Sequence, residues 1–118
     1  MSGKFPFSSS IKVGDFIYVS GTIGMDPVKK ELVVGDVAAQ TLQTLENIEI
    51  ELKRYGASLK DAVKATVFLT DMRNFGAMNE AYRSRFSDPL PTRSCVSVSA
   101  VPHIDALVEI EMIVYSKE

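Results

Sequence analysis

No other feature limits the possible folds of this chain as much as the change of apolar spacing at Asp36. Before it, residues 16–23 (FIYVSGTI) are rich in β-branched and aromatic side chains, which is typical of a strand. Asp36 is suited to cap the start of a helix, and Gly56 is suited to end it. Between them, an amphipathic helix is predicted by residues that recur at steps of three and four, namely Val37, Thr41, Leu45, Ile48, Leu52 and Tyr55.

Strand and helix signals alternate along the rest of the chain. A second, shorter helix is predicted with Asn74 or Asp71 as its cap, from the spacing of Phe75, Met78, Tyr82 and Phe86. Further strands are predicted at 8–13, 62–70, 94–101 and 107–115. The order is therefore β-β-α-β-α-β-β, and the unit over 62–101 predicts a parallel strand pair with a right-handed crossover.

The strands at 16–23 and 107–115 carry apolar residues on both faces, which bears on assembly. Two helices cover only one face of a sheet of this size, so we predict an α+β fold with a mixed sheet and both helices on one face. The apolar second face would be a large exposed patch on a monomer, and we expect it to pack against other subunits. The alternative is that exposed apolar side chains are simply tolerated there.

Length and composition exclude several classes of protein. The 118 residues predict one domain over 1–118, and 46% apolar with 24% charged residues is typical of a soluble globular protein. A formal net charge of -2 without a basic run gives no reason to expect nucleic-acid or membrane partners. Residues 1–10 lack the features of a leader, and the single Cys95 excludes an internal disulfide, so the cytosol is expected.

Familiar catalytic devices are scarce in this sequence. With one histidine and one cysteine, no Cys/His cluster of zinc-ligand spacing can form. A triad would have to use His103 with Asp105, two residues away, which is ordinary loop composition. A nucleophilic pair of Cys95 and His103 is also weakly supported, because a lone cysteine in an apolar strand is usually an inert buried thiol. The G-x-x-G of residues 20–24 lacks the lysine of a phosphate loop.

Four polar residues remain as candidates. Arg93 follows the rigid Pro91–Thr92 at a strand mouth, where its planar donors suit a carboxylate; a surface ion pair is the alternative, and spacing alone favours it. Glu109 and Glu111 share one face of the last strand. Either both carboxylates are solvated, or one is partly buried and has a raised pKa suited to proton transfer. Asn79 interrupts the apolar face of the second helix, either as a polar shoulder or as a ligand contact.

Several segments together resemble the YjgF/YER057c/UK114 (RidA) family of reactive intermediate deaminases, also called endoribonuclease L-PSP. The resemblance covers nearly the whole chain in the same order. The P-x-R-S-x-V and V-E-I-E elements are its most specific parts. The segments are VGD at 13–15, VSG at 19–21, VKATVFLTDM at 63–72, NEAY at 79–82, PTRSCV at 91–96 and VEIE at 108–111.

The resemblance implies a chorismate-mutase-like fold, a homotrimer whose sheets line a central barrel, and active sites in the clefts between subunits. It implies hydrolysis of 2-enamine and 2-imino acids, such as 2-aminoacrylate/2-iminopropanoate and 2-iminobutanoate, to 2-oxo acids and ammonia, without cofactor or metal. By position, Arg93 would bind the substrate carboxylate, the Cys95 backbone would orient it, and Glu109 would activate water. Ser20, Gly21 and Asn79 would line the pocket.

The chain departs from the family at its start. Where the family commonly has G-P-Y-S-Q, residues 5–9 read FPFSS, so Phe7 replaces a tyrosine that faces the ligand and Ser9 replaces a glutamine; Thr22 replaces the glutamine of SGQ. A non-catalytic carboxylate-binding or stress-related protein that uses the same cleft is the alternative function. RNA cleavage, a third function suggested by the family, is disfavoured by the acidic charge balance.

Strand direction adds a prediction about geometry. If the strands at 94–101 and 107–115 run in opposite directions, Arg93 and Glu109 are expected near opposite ends of the sheet, roughly 20 Å apart within one subunit. The two residues would then share a site only when they come from different chains.

Overall fold

A computed structural model describes residues 5–117, which form a five-stranded mixed sheet, two α-helices on one face of it, and a small two-stranded hairpin. The strands are β1 (Ser10–Val13), β2 (Phe16–Thr22), β3 (Met25–Asp26), β4 (Glu31–Leu32), β5 (Ala62–Leu69), β6 (Thr92–Ser97) and β7 (Val108–Tyr115), and the helices are α1 (Val37–Lys53) and α2 (Phe75–Arg83). The order across the main sheet is β1-β2-β7-β5-β6, and β3 pairs with β4. Residues 1–4 and 118, the ends of the predicted single domain, lie outside the described residues.

The strand pairing confirms the predicted parallel unit. β5 and β6 are parallel, whereas β1 with β2, β2 with β7, and β5 with β7 are antiparallel. The short 25–32 hairpin was not predicted, because two-residue strands leave no measurable alternation in the sequence. Within residues 5–117, no helix is long and apolar enough to cross a bilayer.

Helix α1 forms as its spacing predicts. The Asp36 carboxylate accepts a hydrogen bond from the Ala39 backbone N–H at 3.1 Å, which satisfies one of the donors left free at a helix start. The buried stripe packs against β2 and β7, and it includes Val37, Thr41, Leu45, Ile48 and Leu52. Burial of each large aliphatic side chain contributes about 1.5–3 kcal/mol, so truncation of the fully buried Leu45 would weaken this packing.

Helix α2 ends earlier than predicted. It stops at Arg83 rather than reaching Phe86, and the Ser84 hydroxyl donates to the Ala81 carbonyl at 2.6 Å. Phe86 nevertheless packs on Tyr82, with ring centroids 4.7 Å apart, so the apolar spacing continued beyond the end of the helix. Of the two predicted caps, Asp71 makes the side-chain bond, accepting from the Arg73 N–H at 2.9 Å in a 3₁₀ turn before α2.

The bounds of β1 and β6 differ most from prediction, whereas those of β2, β5 and β7 agree to within one residue. A strand extends only as far as its partner does. β6 covers 92–97 rather than 94–101; its neighbour β5 ends at Leu69, and the last bond runs from the Val98 N–H to the Leu69 carbonyl at 2.8 Å. β1 starts at Ser10 rather than at residue 8.

The sheet has one covered face and one open face, as predicted. The side chains under the helices are almost fully buried: Ile17, Val19, Val67, Leu69, Val108, Ile110, Met112 and Val114. The open face carries exposed apolar side chains on four strands, namely Ile11, Val13, Phe16, Tyr18, Val96 and Tyr115. The fold therefore leaves an apolar surface that the helices α1 and α2 do not cover.

Candidate active site

Arg93 lies on the covered face of the sheet, against helix α2. Its guanidinium carbon is 4.9 Å from the ring centroid of Tyr82 and 5.8 Å from that of Phe75, and Nη1 lies 3.9 Å from the Met78 Sδ. Aromatic faces attract a cation, and a planar guanidinium stacks well on them. Among residues 5–117, no carboxylate forms an ion pair with Arg93, so the alternative of a surface ion pair is wrong for these residues.

Unpartnered polar atoms surround this guanidinium. A cleft of about 220 Å³ is lined by Asn79, Tyr82, Arg83, Leu90, Pro91 and Arg93. In the described part of the chain, the Asn79 Oδ1 and the Tyr82 hydroxyl are buried without a hydrogen-bond partner. Burial raises the pKa of Tyr82 to about 12 despite the opposing charge of Arg93, so the phenol stays protonated near neutral pH. We call Arg93, Asn79, Tyr82, Phe75 and Met78 the arginine group.

The arginine group was only partly found from the sequence. Phe75, Met78 and Tyr82 were identified as an apolar stripe, and their spacing does put them on one side of α2. Their role beside Arg93 depends on the parallel crossover between β5 and β6, which brings Met78 and Tyr82 of α2 into contact with Arg93. The sequence feature that could have indicated this group is the pair of aromatic residues on the crossover helix that precedes the strand carrying Arg93.

Cys95 lies two residues beyond Arg93 on the same face of β6. Burial raises the pKa of its thiol, although Arg93 lowers it in part, so the thiol remains protonated near neutral pH and is a poor nucleophile. Its backbone is more informative. Val98 turns its N–H toward β5, and backbone groups alternate in direction along a strand, so the N–H and carbonyl of Cys95 face the free edge of the sheet.

Glu109 lies on the open face of the sheet and touches Gly21. A Cβ on Gly21 would stand 2.5 Å from the Glu109 Oε2 and 2.7 Å from its Cδ, so glycine is needed for the carboxylate to keep this position. Burial raises the pKa of Glu109, and the nearby charge of Glu111 raises it further. A carboxylate with a raised pKa exchanges protons more readily near neutral pH.

The chain segment before β1 forms a wall beside Glu109. A cleft of about 420 Å³ is lined by Phe5, Phe7, Ser20, Gly21, Ile23, Pro102 and Glu109. Ser20 holds this segment against β2 through two hydrogen bonds: its hydroxyl donates to the Ser8 carbonyl at 2.6 Å, and its N–H donates to the Ser9 carbonyl at 2.9 Å. We call Glu109, Gly21, Ser20 and Phe7 the carboxylate group.

The structure separates the predicted site residues into these two groups. Arg93 pairs with Ala65, which pairs with Met112, while Glu109 pairs with Phe68. Because Ala65 and Phe68 are three residues apart, Arg93 and Glu109 project from opposite faces of the sheet. The two Cα atoms are offset by three residues along the strands and by two strand spacings across the sheet, which gives a separation of roughly 14 Å. The expected distance of roughly 20 Å was therefore too long, and it is the projection from opposite faces that keeps the two side chains apart within one chain.

His103 and Asp105 are not arranged as members of a catalytic triad. His103 Nδ1 accepts a hydrogen bond at 3.2 Å from the backbone N–H of Asp105, so this nitrogen does not donate to the Asp105 carboxylate. That geometry lacks the oriented imidazole of a Ser-His-Asp triad. Within the range 5–117, no three His, Cys, Asp or Glu side chains form a group that could hold a metal ion.

These observations define a class: a small α+β protein with an arginine group and a carboxylate group on opposite faces of one sheet. The profile of the family described as Endoribonuclease L-PSP matches residues 2–116. A RutC family protein of Pyrococcus abyssi is 46% identical over 112 residues, which cover 95% of this chain and 87% of that protein. A 2-iminobutanoate/2-iminopropanoate deaminase of mouse is 41% identical over 108 residues, covering 92% of this chain and 79% of that protein.

A solved structure agrees with these sequence matches. The crystal structure of RidA from the Antarctic bacterium Psychrobacter sp. PAMC 21119 superposes with a TM-score of 0.90 at 41% identity, covering 95% of this chain and 89% of that one. The chain therefore belongs to the Endoribonuclease L-PSP family, the YjgF/RidA group that its motifs resemble.

Proposed function

We propose that this protein hydrolyses 2-imino acids, formed by tautomerisation of 2-enamine acids such as 2-aminoacrylate, to 2-oxo acids and ammonia. The observation that carries the proposal is the Arg93 guanidinium, which lies beside aromatic rings at a cleft and forms no ion pair with a carboxylate of residues 5–117, so that its donors can bind a substrate carboxylate. The similarity to the mouse deaminase supports the same reaction.

The chemistry needs orientation and one proton-transfer group. Arg93 binds the substrate carboxylate, and the free-edge backbone of Cys95 helps to orient it. Glu109 takes a proton from water as the oxygen bonds to the electrophilic imine carbon, the C=N π electron pair moves to nitrogen, and Glu109 returns the proton to that nitrogen. Glu109 then takes the hydroxyl proton of the resulting 2-amino-2-hydroxy acid and delivers it to the amino group. The C=O bond forms as the C–N bond breaks, and ammonia leaves with the 2-oxo acid.

The two groups complete one site when they come from different copies of the chain. Arg93 and Glu109 face away from each other within one chain, so a shared site needs Arg93 of one subunit opposite Glu109 of another. The apolar open face, which includes Phe16, Tyr18 and Tyr115, is the surface that association would cover. We propose a homotrimer, with the number three taken from the family resemblance.

Turnover is the first test. The purified protein is expected to accelerate release of 2-oxo acid from enzymatically generated 2-aminoacrylate, and to be a trimer by light scattering at micromolar concentration. A protein that binds a small carboxylate without accelerating release would be the non-catalytic alternative. A monomer across this range would contradict the shared site.

Mixed trimers test the geometry. Arg93→Ala and Glu109→Gln trimers are each expected to be nearly inactive. After dissociation and random reassembly of equal amounts, about a quarter of the interfaces pair two intact residues, so activity should recover toward that fraction. Verified mixed trimers with no recovery would show that the two residues do not act in one shared site.

A further inference from the structure

Phe5 and Phe7 form an exposed aromatic pair beside Glu109. Their ring centroids are 5.6 Å apart at an interplanar angle of 29°, so the rings are stacked. The side chains are 69% and 61% exposed, which leaves most of two large apolar surfaces for further contacts. Ser20 fixes the segment that carries Phe7 through its bonds to Ser8 and Ser9, so at least this ring is held to the sheet.

Beyond Glu109, the residues of 5–117 that line this cleft are mainly apolar. Phe5, Phe7, Ile23 and Pro102 supply apolar surface, and Gly21 contributes no side chain. The Ser20 hydroxyl already donates to the Ser8 carbonyl. Among the described residues of this lining, Glu109 is the one with an ionisable side chain. A ligand group that extends from Glu109 along this wall therefore meets rings and aliphatic atoms.

The size of the cleft also exceeds the needs of a three-carbon substrate. At about 420 Å³ it lies within the range of pockets that enclose drug-sized ligands. 2-Iminopropanoate has a single methyl group beyond its imine carbon and would leave the two rings largely uncovered. A benzyl or long aliphatic group would cover them.

We infer that the Phe5–Phe7 pair is a side-chain subsite that selects 2-imino acids with an aromatic or large apolar side chain over those with a methyl group. The inference rests on the proposed function, because it gives the substrate preference of the same site. Phe5 and Phe7 are its specificity-determining residues, and they act by stacking on the part of the substrate that does not react.

Kinetics on two substrates test the preference. We expect kcat/KM for 2-imino-3-phenylpropanoate to exceed that for 2-iminopropanoate in the wild-type protein, and Phe5→Ala to reduce this ratio about fivefold. Val34→Ala, which truncates a side chain that is 97% exposed and outside this cleft, is the matched control and should leave the ratio unchanged. A ratio that is the same in Phe5→Ala and wild type would overturn the inference.

A binding measurement separates this inference from the proposed reaction. By calorimetry, phenylpyruvate should bind the wild-type protein more tightly than pyruvate, and Phe5→Ala should weaken phenylpyruvate several-fold more than pyruvate. If that pattern appears without turnover of any imino acid, the subsite stands as a ligand preference and the deaminase proposal falls. If pyruvate binds as tightly as phenylpyruvate, the subsite is wrong, whether or not the protein is a deaminase.

Discussion

The arginine group and the carboxylate group lie on opposite faces of one sheet, and the contacts that position them differ in kind. Arg93 is held by large side chains, the rings of Phe75 and Tyr82, supplied by a helix ten or more residues away in sequence. Glu109 is placed by the lack of a side chain, because Gly21 leaves the space that its carboxylate occupies.

Because of this difference, we expect the arginine group to control substrate binding and the carboxylate group to control proton transfer. The guanidinium is permanently charged, so its surroundings set its direction rather than its charge. The carboxylate titrates, so burial and the neighbouring Glu111 set both its pKa and its place. Changes to the arginine group should therefore mainly alter substrate binding and orientation, and changes to the carboxylate group should alter rate and its dependence on pH.

The largest effect is expected for Arg93→Ala. Loss of two charge-assisted hydrogen bonds to the substrate should lower kcat/KM by more than about 100-fold. Arg93→Lys should rescue poorly, because an ammonium lacks the planar fork. Arg85→Ala, which removes a partly exposed ion pair to Glu46 with N···O 3.2 Å, is the control, and its turnover should match the wild type. Near-normal turnover of Arg93→Ala would show that the carboxylate is bound elsewhere.

A smaller effect is expected for Gly21→Ala. The new Cβ would push the Glu109 carboxylate aside, and because the end of a flexible side chain can move, stability should change little. We expect kcat to fall about tenfold while the melting temperature stays near that of the wild type. Gly76→Ala, a glycine in α2 with no atom near its Cβ position, controls for the added methyl. Wild-type kcat in Gly21→Ala would mean that the position of Glu109 is not critical.

Phe7→Tyr should produce a gain rather than a loss. The Phe7 ring lines the Glu109 cleft and is mostly exposed, so a hydroxyl added there could hydrogen-bond to water or substrate. One such bond contributes on the order of 1 kcal/mol, which corresponds to a several-fold rise in kcat/KM. Steady-state kinetics on 2-iminopropanoate would measure it. An unchanged or lower rate would show that the ring only packs. The Thr22 hydroxyl is not free to take the place of the missing tyrosine hydroxyl as a donor, because it donates to the Ser20 carbonyl at 2.8 Å.

The smallest expected effect is a shift of the pH profile in Glu111→Gln. A base must be ionised, so activity should fall as pH drops through the raised pKa of Glu109. Removing the negative charge of Glu111 should lower that pKa, and the acidic limb should move to lower pH by less than about one unit. The pH dependence of kcat/KM in both proteins would measure it. A shift to higher pH would contradict the assignment of Glu109 as the base.

Much of the fold could be predicted because its signals are local. The period of α1 is carried by its own residues, and so are the strand character of β5 and β7 and the extra apolar face of β2. The ends of β6 and α2 were misplaced, because an element ends where its partner ends or where a side chain such as Ser84 bonds the last turn. Arg93 and Glu109 were found as candidates by residue type and motif, which are also local properties.

The sequence by itself determined the elements, their order, the apolar second face and the residues with useful chemistry, because each depends on neighbours a few positions apart. The tertiary structure decided which residues meet. Whether Arg93 and Glu109 share a face depends on the register of β5 with both its neighbours, and a shift of one residue would reverse it. The stacking of Tyr82 on Arg93 and the approach of Gly21 to Glu109 likewise join distant parts of the chain, whose separation no local spacing can fix.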